Sequence, residues 1–309
     1  ELARIGEKVN YAINYRNAPQ LDKQVVDSLF GGELESSATK IGTFAACPFK
    51  YFARYILKLE KRREFKLEPL DLGLFYHRVL DLLLKKLKEQ KVNFTEVSEH
   101  ELLGTLRGQI RELVEKDAFI SNFTRHSAHN AFIINSATEN LEFCALAIKQ
   151  MVCAGSFKPT WSELGFGSVG GEKEYLGKYK VKLCDGRFVS LSGKVDRLDT
   201  TSINSEKVGI VFDYKRTESP FDWSHFYHGL NMQLPIYMLA ALKGSNERYR
   251  IDKAGGGFFM PVEARPGKTE LGEMEKKAEK FQYKARGILN GRYAMELDNS
   301  AYLNSVFYN

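Results

Sequence analysis

Apolar residues recur at helical spacing through the first half of the chain and give way to short β-rich runs in the second. Ile5, Val9, Ala12 and Ile13 share one face of a helical lead-in over residues 1–30, which Pro19 interrupts. Ser36-Ser37-Ala38-Thr39 has the composition of a cap for a helix containing Cys47-Pro48-Phe49-Lys50-Tyr51-Phe52-Ala53-Arg54-Tyr55. Lys61-Arg62-Arg63 marks a solvated basic turn. Val79, Leu80, Leu83, Leu84 and Leu87 predict a long helix from about Leu72 to Lys91. Residues 99–154 read as further helices, the last carrying Leu141, Ala145, Ile148 and Val152.

After Gly155, glycine, threonine, tyrosine and valine become frequent. Strands are predicted at 161–168, 172–184, 187–199 and 207–215, with Cys184-Asp185-Gly186-Arg187 as a tight hairpin turn. A helix over 229–243 ending near Gly244, a strand over 255–262 and a charged amphipathic helix from Leu271 to Leu289 complete the pattern. This order predicts one α/β domain with a helical insertion. The organisation expected is a helical lead-in over 1–35 and a domain over 36–309. Within that domain the helical part covers about 36–155, the sheet-containing core about 156–265 and a C-terminal helix about 268–290. The chain opens at Glu1 with no methionine and no signal-like segment, so it reads as a piece of something longer.

Composition narrows the class without naming it. With 43% hydrophobic and 27% charged residues the chain is neither disordered nor fibrous. No run approaches the roughly 18–20 apolar residues of a membrane span. The net charge of +6, from 45 basic and 39 acidic residues, suits a polyanionic partner but also many others. Four scattered cysteines, Cys47, Cys144, Cys153 and Cys184, form no CxxC pair, as in a reducing cytoplasm.

The chemistry concentrates in one segment. Gly193-Lys194-Val195-Asp196 ends one predicted strand, and Val208-Gly209-Ile210-Val211-Phe212 runs into Asp213-Tyr214-Lys215. Two carboxylates and a lysine at adjacent strand ends are the minimum set for metal-dependent phosphodiester cleavage. Alternation puts Asp213 and Lys215 on one side and Phe212 and Tyr214 on the other. It also separates Asp196 from Asp199, leaving Asp196 as the ligand and Asp199 as a surface or supporting residue. Asp196 and Asp213 would bind Mg²⁺ or Mn²⁺, with the Tyr214 carbonyl as an extra ligand. Lys215 would position or activate water and offset charge on the phosphate. An Asp-x-Lys after an apolar run is common by itself. Asp71-x-Gly73-x-x-x-His77 sets a histidine at the start of the leucine-rich helix, where a histidine is more often structural. Gln233 and Tyr237 share a helix face.

In order along the chain, Cys47-Pro48-Phe49-x-Tyr51-Phe52, Gly73-x-x-x-His77, Pro159-x-x-x-Glu163-x-x-Phe166-Gly167, Gly193-x-x-Asp196-Arg197-x-Asp199, Asp213-Tyr214-Lys215 and Gln233-x-x-x-Tyr237 resemble the RecB-type branch of the PD-(D/E)XK nucleases. Within it they are most similar to the C-terminal nuclease domain of the AddB proteins of bacterial AddAB helicase–nucleases. The resemblance covers about residues 37–262. It implies an α/β, restriction-endonuclease-like core with a mixed central sheet flanked by helices. It further implies a Mg²⁺-dependent DNA exonuclease in the bacterial cytoplasm. Such a domain acts on single-stranded ends unwound by a helicase subunit of the AddA type, in double-strand-break repair and recombination.

Carried over position by position, His77, Asp196 and Asp213 would be metal ligands and Lys215 the catalytic lysine. Glu163 would be a secondary acidic residue near the metal. Gln233 and Tyr237 would contact the DNA strand or support the site. No GxxxxGK[ST] sequence occurs, so ATP-driven unwinding would come from outside these residues.

In the resembled domains the cysteine matching Cys47 is the first of four ligands to a [4Fe–4S] cluster, the others forming a tight C-terminal group. No cysteine follows Cys184 here, so the cluster is not expected, and Cys47 reads as a small buried hydrophobe. Lys50, Arg54, Lys58, Lys61, Arg62 and Arg63, interleaved with Phe49, Tyr51, Phe52 and Tyr55, read equally as a wall for single-stranded DNA or as core rings with a solvated face. Lys85-Lys86-Leu87-Lys88 and Lys276-Lys277 read as exposed helix faces. The alternatives to the leading reading are a stand-alone RecB-like exonuclease and a catalytically silent DNA-end-binding scaffold.

Overall fold

Ser37, Ser98, Asp117 and Ser127 each turn a side-chain oxygen onto a backbone N–H in the first turn of the helix that follows; at Ser98 the Glu101 carboxylate returns the bond. The computed structural model describes residues 2–14, 22–31, 33–60, 69–168, 175–264, 282–299 and 305–309. Helices α1 (Leu2–Asn14) and α2 (Lys23–Phe30) precede a short strand, β1 (Leu34–Ser36). Then come α3 (Ala38–Ala46) and α4 (Pro48–Tyr51), the latter running into a π turn at Phe52–Ile56. The long helical part is α5 (Pro69–Glu89), α6 (Glu99–Lys116), α7 (Ala118–His126) and α8 (Ala128–Cys153). It is followed by β2 (Lys158–Phe166), β3 (Tyr179–Lys182), β4 (Phe188–Leu191), β5 (Gly193–Ile203) and β6 (Glu206–Lys215). Short α9 (Trp223–Tyr227) and α10 (Gln233–Lys243) lead to β7 (Lys253–Pro261) and β8 (Arg286–Leu289).

The main sheet has five strands in the order β2-β5-β6-β7-β8. β6 and β7 pair in parallel, joined by the α9–α10 crossover that parallel pairing requires, and the other pairings are antiparallel. A second, three-stranded sheet has the order β1-β4-β3. β5 and β6 are connected by Asn204 and Ser205 alone, both at positive φ (51° and 68°), the geometry of a primed two-residue hairpin turn.

Period-two alternation along β6 divides the core. Val208, Ile210, Phe212 and Tyr214 pack with α5, α6 and α8, whereas Val211 packs with Leu234, Tyr237 and Ala240 of α10. Asp213 and Lys215 therefore share the face that α10 covers. The expected α/β architecture, a mixed sheet between helices, is the one observed.

Several expectations are corrected. The strand expected over 187–199 is two strands in different sheets, β4 and β5, divided at Ser192. The helix expected over 229–243 begins at Gln233, where Pro235 sits in the first turn without removing a needed hydrogen bond. Of the helix expected from 271 to 289, residues 286–289 form β8, an edge strand held by backbone pairing to β7. Residues 265–281, with Lys276-Lys277, lie outside the described residues, as do Lys61-Arg62-Arg63 and residues 172–174 of the second predicted strand.

Candidate active site

Antiparallel pairing brings the start of β5 beside the end of β6, with Arg197 opposite Phe212. Asp196 thus stands near the beginning of its strand, not its end as expected, and the reversal of direction is what sets it beside Asp213. Its Oδ2 accepts a hydrogen bond from the Tyr214 backbone N–H at 2.7 Å. Gly193 has a steric reason: a Cβ there would lie 2.8 Å from the Phe166 ring and 3.2 Å from the Tyr237 ring.

His77 lies well inside α5 rather than at its start. Its Nε2 is 3.0 Å from the Tyr214 carbonyl oxygen, which only accepts, so Nε2 carries the hydrogen. That bond fixes the ring with Nδ1 facing acids: Asp196 Oδ1 at 3.2 Å and Glu163 Oε1 at 3.9 Å. The Tyr214 carbonyl, expected as a ligand, orients the imidazole here. Gly73, one turn before His77, has no atom of the described residues within 4 Å of a Cβ position.

One ligand atom from each of His77, Glu163 and Asp196 falls within 4.8 Å of the others. An imidazole and two carboxylates, with the second ring nitrogen donating to a carbonyl, fit a divalent cation. Asp213, expected in this set, stands beside it. Its Oδ1 accepts from Gln233 Nε2 at 2.5 Å, and its Oδ2 forms an ion pair with Lys215 Nζ at 2.5 Å. Gln233 uses both ends of its amide, since Oε1 accepts from Lys215 at 2.7 Å and Nε2 also reaches the Tyr237 hydroxyl at 3.1 Å. Gln233, itself bonded to Tyr237, thus links Asp213 and Lys215.

The electrostatics follow from crowding acids at low exposure. Burial works against a charged His77, but the hydrogen bond and charge of Asp196, with the charges of Glu163 and Asp213, outweigh it and raise the imidazole to about 8. Burial, then the charge of Asp196, pushes Asp213 up to about 7 against the pull of Lys215. Burial also raises Glu163, opposed by Lys194.

Two further contributors lie inside the same motif, where charge type and strand position are their only sequence signal. Lys194, two residues before Asp196 on the same strand, holds Glu163 Oε2 at 2.8 Å. Arg197 is fully buried beneath the site, its guanidinium 3.9 Å from the centre of the Phe212 ring. It pairs with Asp199 Oδ1 at 2.8 Å and donates to the Tyr214 hydroxyl at 3.1 Å. Asp199 is therefore a buried support and not a surface residue.

The cysteines do not assemble. Cys47 is half-buried and caps α4, its Sγ accepting from the Lys50 N–H at 3.4 Å, rather than serving as a core hydrophobe. Cys144 is buried, which pushes its thiol up to about 12, while Cys153 and Cys184 are exposed. These four do not fit an iron–sulfur cluster.

Comparison with known proteins agrees with this arrangement. The profile of the PD-(D/E)XK nuclease superfamily matches residues 35–301. Among curated proteins, an ATP-dependent helicase/deoxyribonuclease subunit of Lactobacillus johnsonii is 30% identical over 267 residues, 85% of this chain and 23% of that protein. The proteins of the same name from Latilactobacillus sakei and Lachnoclostridium phytofermentans are 28% and 29% identical, over 81% and 79% of this chain and 21% and 20% of their own length. The chain spans about a fifth of the length of these relatives. With the profile covering most of its length, and carboxylates, lysine and histidine meeting where β5, β6 and α5 converge, the chain belongs to the PD-(D/E)XK nuclease superfamily.

Proposed function

We propose that this chain is a metal-dependent deoxyribonuclease domain acting as an exonuclease on single-stranded ends of unwound DNA. It would work within a bacterial helicase–nuclease for double-strand-break repair and recombination, beside a helicase subunit of the AddA type. The convergence of His77, Glu163 and Asp196 next to the Asp213–Lys215 pair carries this reading. The names of the relatives, which join a helicase to a deoxyribonuclease, support the wider setting. Among the described residues no helix is long and apolar enough to cross a membrane.

His77, Glu163 and Asp196 would hold Mg²⁺ or Mn²⁺, with Asp213 at its edge. Such an ion polarises a phosphoryl oxygen and lowers the pKa of bound water. Tyr214 aims His77 through its carbonyl and holds Asp196 through its N–H. Lys215 presents a cation to the scissile phosphate and offsets charge developing there. Gln233 keeps the ammonium and Asp213 in register.

The test is digestion of end-labelled single-stranded DNA with Mg²⁺, comparing the wild type with Asp213→Ala. Loss of digestion in the variant, with its melting temperature maintained, is expected. Equal digestion by both proteins would place the chemistry elsewhere, and DNA binding without digestion by the wild type would favour the silent scaffold.

A further inference from the structure

From Ser36 to Leu59 the chain carries Lys40, Lys50, Arg54 and Lys58 and no acidic residue. Nothing described between residues 33 and 60 is buried, so the aromatic residues of α3 and α4 are not core. Phe44 and Phe49 are 54% and 77% exposed. Phe44 meets Tyr51 edge-on at 5.6 Å, Tyr51 meets Tyr55 at 5.3 Å, and Lys40 and Arg54 stand over the Tyr55 ring at 5.7 and 5.5 Å.

A second group of rings lies in the segment that leads into the turn packed against α3. In and before α9, Phe221 packs edge-on to Trp223 at 5.0 Å, while Trp223 and Tyr227 are 64% and 85% exposed. The turn after α9 seats against α3, where a Cβ on Gly42 would lie 2.9 Å from the Leu230 carbonyl oxygen. α9 belongs to the connection between Lys215 and Gln233, whose side chains are bonded to each other. The connection that carries α9 is therefore tethered at both ends to the site.

Large rings left in water mark a place where something docks. The one-signed charge of residues 36–59 selects the occupant; the α9 segment adds exposed rings and, beside them, the Asp222 carboxylate, which is occupied by the Ser224 and His225 N–H groups. A second copy of this chain on a twofold axis would set these cations against the same cations. A polyanion with unpaired bases satisfies both features at once, because every base offers a stacking face and every phosphate a charge. Duplex DNA hides its bases. We propose that α3, α4 and α9 form a stacking platform for single-stranded DNA, with bases on Phe49, Trp223 and Tyr227 and phosphates beside Lys50 and Arg54. The proposal rests on the nuclease reading for its direction, feeding the strand toward Lys215.

The chain has two tryptophans, Trp161 and Trp223, so Trp161→Phe leaves Trp223 as the reporter. In an Asp213→Ala background, which holds DNA uncut, an oligothymidylate of about twelve nucleotides should quench this emission saturably. Trp223→Ala and Tyr227→Ala should each weaken binding of a labelled oligothymidylate by about tenfold or more, with melting temperatures unchanged because both side chains are exposed. Binding without quenching, or with full affinity in both alanine variants, overturns the platform. Self-association that Trp223→Ala abolishes and oligothymidylate does not compete also overturns it, assigning the face to a second copy. If the alanine variants bind normally while the wild type digests DNA, the platform fails and the nuclease reading stands. Quenching with a wild type that leaves DNA intact has the opposite meaning.

Discussion

Lys194 Nζ and Glu163 Oε2 stand 2.8 Å apart across the β2–β5 pair, and Glu163 holds a left-handed backbone, φ +50°, inside a strand. Left-handed backbone at a residue other than glycine costs energy and concentrates at functional sites. Here it accompanies a carboxylate held beside His77 and Asp196.

Lys194→Met leaves Glu163 half-buried without its cation, so a carboxyl already raised by burial rises further. Mn²⁺ affinity at pH 7, read by titration calorimetry, should fall by roughly 10–100-fold and recover as pH increases. Wild-type affinity at pH 7 would remove Lys194 from the site.

Substitutions at Glu163 separate strain from ligation. Glu163→Gly and Glu163→Ala both delete the carboxylate and should lose Mn²⁺ binding. In denaturant titration the glycine variant should be the more stable by about 1 kcal/mol, because only alanine retains the Cβ clash. An ordinary strand position gives the reverse order.

The histidine and the hairpin differ in how readily they can be read from the chain. Alternation alone groups Asp213 with Lys215 and separates Asp196 from Asp199, because a strand's period is local. His77 meets Tyr214 across 137 residues, a contact no local pattern encodes, and only resemblance to a family points to it. The weight carried by Glu163 is hidden for a different reason: its acidic type is visible, but its left-handed backbone is imposed by neighbours. β8 escapes a reading of periodicity because its four residues are held by main-chain pairing to β7 rather than by their own alternation.

Arg197 offers a test of the buried scaffold. Arg197→Met leaves Asp199 without its partner inside the core, a change that typically costs about 3–5 kcal/mol. The melting temperature should drop by about 10 °C. Adding Asp199→Leu should restore much of it, since the unpaired charge goes too; no recovery would mean that Arg197 acts through its stacking on Phe212.

Metal-free protein should lose stability as pH rises. His77 and Asp213 both titrate above their ordinary values, so the fold favours their protonated forms. That contribution is complete below the unfolded values and disappears as pH passes about 7 for Asp213 and about 8 for His77. For His77 it is on the order of 2 kcal/mol. Scanning calorimetry between pH 6 and 9 should show a falling melting temperature without metal and a smaller fall with saturating Mn²⁺, whose ligands must be deprotonated. A metal-free melting temperature that climbs through this range would contradict the site's electrostatics.

The two-residue connection at Asn204 and Ser205 has a reach well beyond its size. It lies roughly 25 Å from Asp196 along β5, yet it sets which β6 residue faces which β5 residue. A slip of the register by one residue would turn β6 over, sending Asp213 and Lys215 into the helical core and Phe212 and Tyr214 toward α10. Together with the two buried faces of β6, this turn works as the index mark that aligns the two halves of the hairpin carrying Asp196, Asp213 and Lys215.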